Sequence, residues 1–131
     1  MNTSLDIKVQ ETDIDEIGHV NYMNYISFSE KGIGDWYRKA GVPLADLLQK
    51  NIGTVLLKFD ILYLAEARAG DTLTIHTIPI RLGTKSFQFK QEIFNQDGVQ
   101  TTECNKTFVM FDMITRKSIP VVPKIVAHFE N

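Results

Sequence analysis

The sequence predicts an α+β fold in which one long helix covers one face of a curved, five-stranded antiparallel sheet. Three observations carry that expectation. Apolar residues recur at helical spacing from about Asn21 to Ala40. Before that stretch, and for most of the chain after it, they alternate with polar residues as in half-buried strands. Turn residues such as Asn95-Gln96-Asp97-Gly98 separate the alternating runs at hairpin spacing.

Leu5, Ile7 and Val9 alternate with Asp6, Lys8 and Gln10, which makes a first short strand. Residues 11–18 are polar and acidic and suit neither regular element. Tyr22, Tyr25, Ile26, Ile33, Trp36, Tyr37 and Ala40 then share one helix face, with Asn21 as N-cap and Gly41-Val42-Pro43 as the stop. Ser29 and Gly32 keep part of that helix slim enough for close packing on a sheet. A second short helix covers residues 44–49. Val55, Leu57, Phe59, Ile61 and Tyr63 form one face of the next strand. Residues 72–80 are rich in β-branched side chains, and Pro79 among them belongs at an edge or a bulge. In residues 86–94, Phe87, Phe89 and Ile93 alternate with Gln88, Lys90 and Glu92, and residues 101–112 return as a long strand. The four later strands are expected to run as a meander. Pro123 opens a last helical turn through Ala127. No repeat, low-complexity run or linker divides the chain, so residues 1–131 are expected to form one domain.

Fourteen Lys and Arg against sixteen Asp and Glu give a net charge of −2. That balance supplies no clustered basic face, which excludes nucleic acid as the expected partner. No apolar run approaches the roughly 20 residues of a membrane span. Residues 1–8 lack the basic-then-apolar pattern of a secretory signal, and the single Cys104 has no partner for a disulfide. A cytoplasmic location is therefore expected. The three histidines and Cys104 stand at no metal-ligand spacing, so no metal is expected. Trp36 reads as a core residue, Cys104 as a small core or half-buried one, and His76 and His128 as incidental strand and tail positions.

The chemistry concentrates in residues 12–25. Two carboxylates, Asp13 and Asp15, and the His19 imidazole lie in the loop that leads into the long helix. A helix start presents unpaired N–H groups and the positive end of the macrodipole, so it can polarise a carbonyl and hold a developing oxyanion. A nearby carboxylate can attack that carbonyl or deprotonate a water that does. Acyl transfer or hydrolysis suits this layout. Each residue also has a plainer reading. Asp13 and Asp15 fit turn capping, His19 fits a bond to loop backbone, Asn21 fits the cap alone, and Tyr25 fits helix packing.

The run Asp13-x-Asp15-x-x-Gly18-His19-Val20-Asn21-x-x-x-Tyr25 resembles the signature of hotdog-fold thioesterases of the 4-hydroxybenzoyl-CoA thioesterase type. Plant acyl-ACP thioesterases carry a similar Asp-x-Asp-x-x-x-His-Val-Asn run. Gly70-Asp71, Gly83-Thr84-Lys85-Ser86 and Asp97-Gly98 fall where that family places its turns, so the resemblance spans nearly the whole chain. It implies a hotdog fold and hydrolysis of an acyl-CoA thioester without metal or redox cofactor. It casts Asp15 as nucleophile or general base and Asp13 as the residue that orients the loop. His19 is the second catalytic candidate. Amides near Tyr22 to Asn24 would polarise the carbonyl, with Asn21, Tyr22 and Tyr25 on the substrate. Arg81, Lys85 and Ser86 are the candidates to contact the CoA phosphates or pantetheine. A homodimer or homotetramer that pairs its sheets side by side, with sites at the subunit interface, is the implied assembly.

The chain departs from the pattern in places. Tyr22 stands where relatives carry Asn or His, Glu30 is followed by Lys31-Gly32-Ile33 instead of the x-x-Arg pattern, and residues 65–69 hold no proline. Glu66 reads as a surface or interface residue. Residues 72–74, Thr-Leu-Thr, lack the hydratase motif that would make a hotdog dehydratase. The acyl pocket is expected from Tyr22, Tyr25, Ile26, Phe59, Tyr63 and Phe87, a set that favours a short or aromatic acyl group. The alternatives are an acyl-ACP thioesterase and a non-catalytic acyl-CoA-binding hotdog protein.

Overall fold

The computed structural model describes residues 1–129. β1 (Thr3–Lys8) leads through a 3-10 turn (Glu11–Asp13) and the acidic loop into α1 (Tyr22–Lys39). Then come α2 (Leu44–Gln49), β2 (Ile52–Tyr63), β3 (Thr72–Leu82), β4 (Ser86–Phe94) and β5 (Gln100–Asp112). A two-residue β6 (Lys117–Ser118) and α3 (Pro123–Phe129) end the described chain, so the last helix runs two residues past the expected Ala127.

All strand pairings are antiparallel. The five long strands lie in the order β1-β3-β4-β5-β2, with β6 beside β5. This corrects the expected four-strand meander. Strands β3 to β5 form one, but β2 pairs with β5. Tight turns force neighbours to pair, and residues 64–71 between β2 and β3 are a longer irregular link that lets the chain cross to the other side of the sheet.

Local chemistry accounts for both ends of α1. Asn21 Oδ1 accepts from Met23 N–H at 2.9 Å. At the far end Gly41 takes a φ of +82°. There Val42 N–H reaches Tyr37 O at 2.9 Å and Gly41 N–H reaches Arg38 O at 3.1 Å, the paired bonds of a Schellman stop. The buried residues are Tyr25, Phe28, Ser29, Gly32, Ile33, Asp35, Trp36 and Tyr37, with Asp35 paired to Arg38 and Lys39. The expected face is thus corrected at its start, because Tyr22 is 61% exposed and Ile26 only half-buried. α1 lies closest to β1 and β3, and side chains of β4 and β5 also reach it, as Gln91 and Lys106 do at Ser29. Gly32 makes the close approach: a Cβ there would lie 2.7 Å from Ile75 Cγ2 and 2.9 Å from Gln91 Nε2.

Three register shifts interrupt the ladders, one of them between Ile93 and Phe94 near the β4–β5 turn, and the two inside β2 and β3 bend the sheet around the helix. The one between Leu56 and Lys58 changes the phase of β2. Phe59, Ile61 and Tyr63 share a face as expected, but Val55 and Leu57 do not join them and stand 46% and 68% exposed. Leu56, itself 47% exposed, takes the register position opposite the buried Phe108 instead. The second bulge follows Pro79 in β3, beyond Thr77, the last partner of β1. The missing proline N–H therefore costs no ladder bond to β1.

The core has two clusters. Trp36, Tyr37, Phe87, Phe89, Phe108, Met110 and Ile125 fill the C-terminal end of α1. Val9, Val20, Tyr25, Phe28, Ala67, Leu73, Ile75 and Ile93 fill its N-terminal end. Trp36 is fully buried, as the sequence predicts, and of the two places open to Cys104 it takes the core. No helix among the described residues is long and apolar enough to cross a membrane.

Candidate active site

The acidic loop folds as a small hairpin. Ile14 and Val20 bridge across it. Gly18 N–H donates to Asp15 O and Asp15 N–H to His19 O, both at 3.1 Å. The turn puts Gly18 at φ +88°, which glycine adopts without the steric cost a Cβ would add. Asp15 Oδ1 accepts from Ile17 N–H at 2.9 Å, which fixes the carboxylate while Oδ2 has no protein donor among the described residues.

Asp13 fastens this hairpin to the helix. Its Oδ2 accepts from Gln10 N–H at 2.8 Å. Its carbonyl accepts from Asn21 N–H at 3.2 Å and from Asn24 Nδ2 at 2.9 Å. Val20 N–H donates to Ala67 O at 3.0 Å, which draws the segment after β2 over the loop.

Between loop, helix start and that segment lies a cavity of about 420 Å³, lined by Asp15, His19, Tyr22, Tyr25, Tyr63 and Glu66 among others. Asp15 and His19 are half-buried, Tyr25 is buried, and Tyr22 and Tyr63 are exposed. The tyrosines interlock. Tyr25 and Tyr63 meet edge to face at 5.6 Å and Tyr22 and Tyr63 at 6.4 Å, a favourable arrangement for ring quadrupoles. Tyr63 OH donates to Tyr22 O at 3.1 Å, and Tyr25 OH accepts from the buried Ala67 N–H at 2.9 Å. Burial pushes the Tyr25 phenol above its ordinary pKa, so it stays neutral. At the helix start Asn21 satisfies Met23 N–H and Asn24 N–H, while Tyr22 N–H has no acceptor among the described residues.

Four of the eight site residues read from sequence, Asp15, His19, Tyr22 and Tyr25, therefore meet at one cavity, and Asn21 caps the helix that borders it. Arg81 and Ser86 do not. They line a separate hollow of about 340 Å³ with Lys58, Gln88 and Asn105. Lys85, exposed in the β3–β4 turn, lines neither. Of the expected acyl-pocket residues, Phe87 instead belongs to the aromatic core, and Ile26 and Phe59 border a neighbouring cavity.

The cavity also gains Glu66, whose exposed carboxylate is held by Arg68 Nη2 at 2.7 Å and Nε at 3.1 Å. The guanidinium keeps that carboxyl below its usual range, with a smaller pull from His19. No local pattern marks Glu66, because it arrives through the bonds of Ala67 to Val20 and Tyr25. Among the described residues no group of three or more His, Cys, Asp or Glu side chains could hold a metal ion.

A bent antiparallel sheet around one helix, with a carboxylate poised at that helix's start, defines a protein of the hotdog thioesterase class. The chain belongs to the thioesterase-like superfamily, whose family model matches residues 9–129. That membership places it among thioester hydrolases. The acyl-CoA thioester hydrolase YbgC of Escherichia coli is 28% identical over 134 residues, covering 100% of both chains. The crystal structure of a 1,4-dihydroxy-2-naphthoyl-CoA thioesterase from Synechocystis superposes with a TM-score of 0.92 at 16% identity, covering 98% of this chain and 96% of that one. A Staphylococcus aureus protein solved in complex with CoA gives 0.92 at 17% identity, covering 98% of this chain and 84% of that one. At such identities the structural likeness establishes the fold.

Proposed function

We propose that the whole chain acts as one thioesterase domain that hydrolyses an acyl-CoA thioester to the free acid and CoA. The observation that supports this most is the meeting of Asp15 with the open Tyr22 amide at a single cavity. The thioester oxygen sits at that amide, where the helix dipole stabilises the charge it gains. Asp15 then attacks the carbonyl carbon to give an acyl-aspartyl anhydride, which water later opens, or it takes a proton from the attacking water. Either way the C–S bond breaks with the electron pair on sulfur. CoA leaves as a thiolate, a group of low enough pKa to depart without metal assistance. His19, in the same wall, supplies the imidazole that can return a proton to that sulfur.

Arg81, Lys85 and Ser86 are the candidates to hold the nucleotide end of CoA, whose phosphates need cations outside the acyl cavity. None of them lines the Asp15 cavity of the same subunit, which fits a site completed by a second copy. Strand β2 supports that assembly. It is an outer strand of the sheet, twelve residues long with Val55, Leu57 and Leu62 exposed, and such edges pair with another chain unless blocked.

Release of free thiol from acyl-CoA esters of graded length, and from matching acyl-ACP, tests this function. Steady release from one or more CoA esters is expected. Release from acyl-ACP alone would move the substrate to the carrier protein. Tight acyl-CoA binding with no release from either would replace hydrolysis with a binding role.

A further inference from the structure

Lys106 is the one lysine the fold buries completely, at 1% exposure, and it lies at an inward position of β5 where the strand pattern calls for an apolar residue. Its Nζ donates to Glu30 Oε1 at 2.6 Å and to Ser29 Oγ at 2.8 Å, both on α1. It also stands 5.3 Å from the centre of the Phe59 ring. An ammonium has three N–H donors, and the third has no acceptor among the described residues. Glu30 is 55% exposed and likewise uses one oxygen. A buried lysine in an apolar surround is costly unless its partners offset the desolvation, and here one of its three donors is left without a partner among the described residues.

The pair borders a cavity of about 320 Å³ between α1 and β2, whose other walls include Ile26, Phe59, Leu56 and Phe108. This cavity shares no lining residue with the Asp15 cavity but neighbours it along the same helix and strand. On α1, Ile26 and Glu30 follow Tyr22 at successive turns. On β2, Phe59 precedes Tyr63 by four residues on the same face. Glu30 follows Tyr22 by eight residues, roughly 12 Å along the helix axis, the reach of an extended chain of about nine carbons.

We infer that this second cavity takes the far end of the acyl group, and that Lys106 and Glu30 select a chain bearing a hydroxyl there. The inference rests on the thioesterase reading above. A hydroxyl matches both open positions, accepting from Lys106 Nζ and donating to the free Glu30 oxygen. A plain alkyl end leaves both unmet, and a carboxylate end meets repulsion from Glu30. The span sets the hydroxyl about eight to ten carbons from the thioester.

The test compares kcat/KM for decanoyl-CoA and 10-hydroxydecanoyl-CoA in the unmodified protein, in Lys106→Met and in Glu30→Gln. The ratio of the two esters within one protein cancels any general loss of activity. The unmodified protein is expected to favour the hydroxylated ester at least about tenfold, the worth of one well-made hydrogen bond. In both variants the ratio should fall toward one, and Glu30→Gln keeps the test alive if Lys106→Met does not fold. A ratio near one in the unmodified protein, an unchanged ratio in the variants, or hydrolysis of short esters only would overturn the inference. Failure to hydrolyse any acyl-CoA would instead remove the thioesterase reading beneath it.

Discussion

The two ends of α1 are built on opposite terms. At the C-terminal end the helix closes its own surroundings. Trp36 meets Phe89 at 4.8 Å and Tyr37 at 5.7 Å, and Phe87 stacks on Phe108 at 5.8 Å. The Trp36 indole N–H finds Met1 O at 2.9 Å, so even the polar handle is satisfied. At the N-terminal end the same helix leaves Tyr22, Ile17 and Tyr63 exposed beside a cavity. The Tyr25 and Tyr63 hydroxyls there are tied to backbone groups, the Ala67 amide and the Tyr22 carbonyl. Chain that could have filled the cavity goes instead into a hairpin that holds Asp15 at its mouth. Stability is concentrated at one end and the reactive groups at the other.

That contrast can be broken from either side. Trp36→Ala empties the packed end and should cost about 3–5 kcal/mol of unfolding free energy, read by denaturant titration. Thiol release per folded molecule should stay near its original value, because the cavity lies at the other end of the helix. Tyr25→Phe acts at the border. It strips the buried Ala67 N–H of its acceptor and should cost about 1–3 kcal/mol. It should also raise KM, since Ala67 holds the segment that closes the cavity. Gly32→Ala, midway along the helix, tests the close approach itself. The added methyl meets Ile75 and Gln91, and overpacking of about 1–3 kcal/mol is partly offset by up to about 1 kcal/mol of helix propensity. A small net loss of thermal stability is the expected result, and a gain would show that the helix can move away from the sheet.

The packed end was largely legible in the sequence. The helical period, the Asn21 cap and the Gly41 stop are set by neighbouring residues, and so are the alternating phenylalanines of β4. Strand order was not, because the partner of β2 depends on a long irregular link rather than a turn. The Leu56–Lys58 bulge escaped for a related reason. A run of Val55-Leu56-Leu57 gives no alternation to fix its phase, and pairing with β5 decides which leucine stands opposite Phe108. At the site, Asp13, Asp15, His19 and Asn21 were readable because one continuous loop carries them. Glu66 and Lys106 were not. Each reaches its place through pairing of distant segments, and a lysine in an alternating strand looks the same from the sequence whichever face it takes.

The central claim is that Asp15 performs the chemistry at the open end of α1. The direct measurement is CoA release by Asp15→Asn beside the unmodified protein, on the best ester of the panel and with matched thermal unfolding curves. Asparagine can still accept the Ile17 N–H bond that shapes the turn, so the fold and melting temperature should hold while the rate falls at least about a hundredfold. Turnover within a few-fold of the unmodified protein would contradict the claim and move the search to His19 and Glu66 across the same cavity.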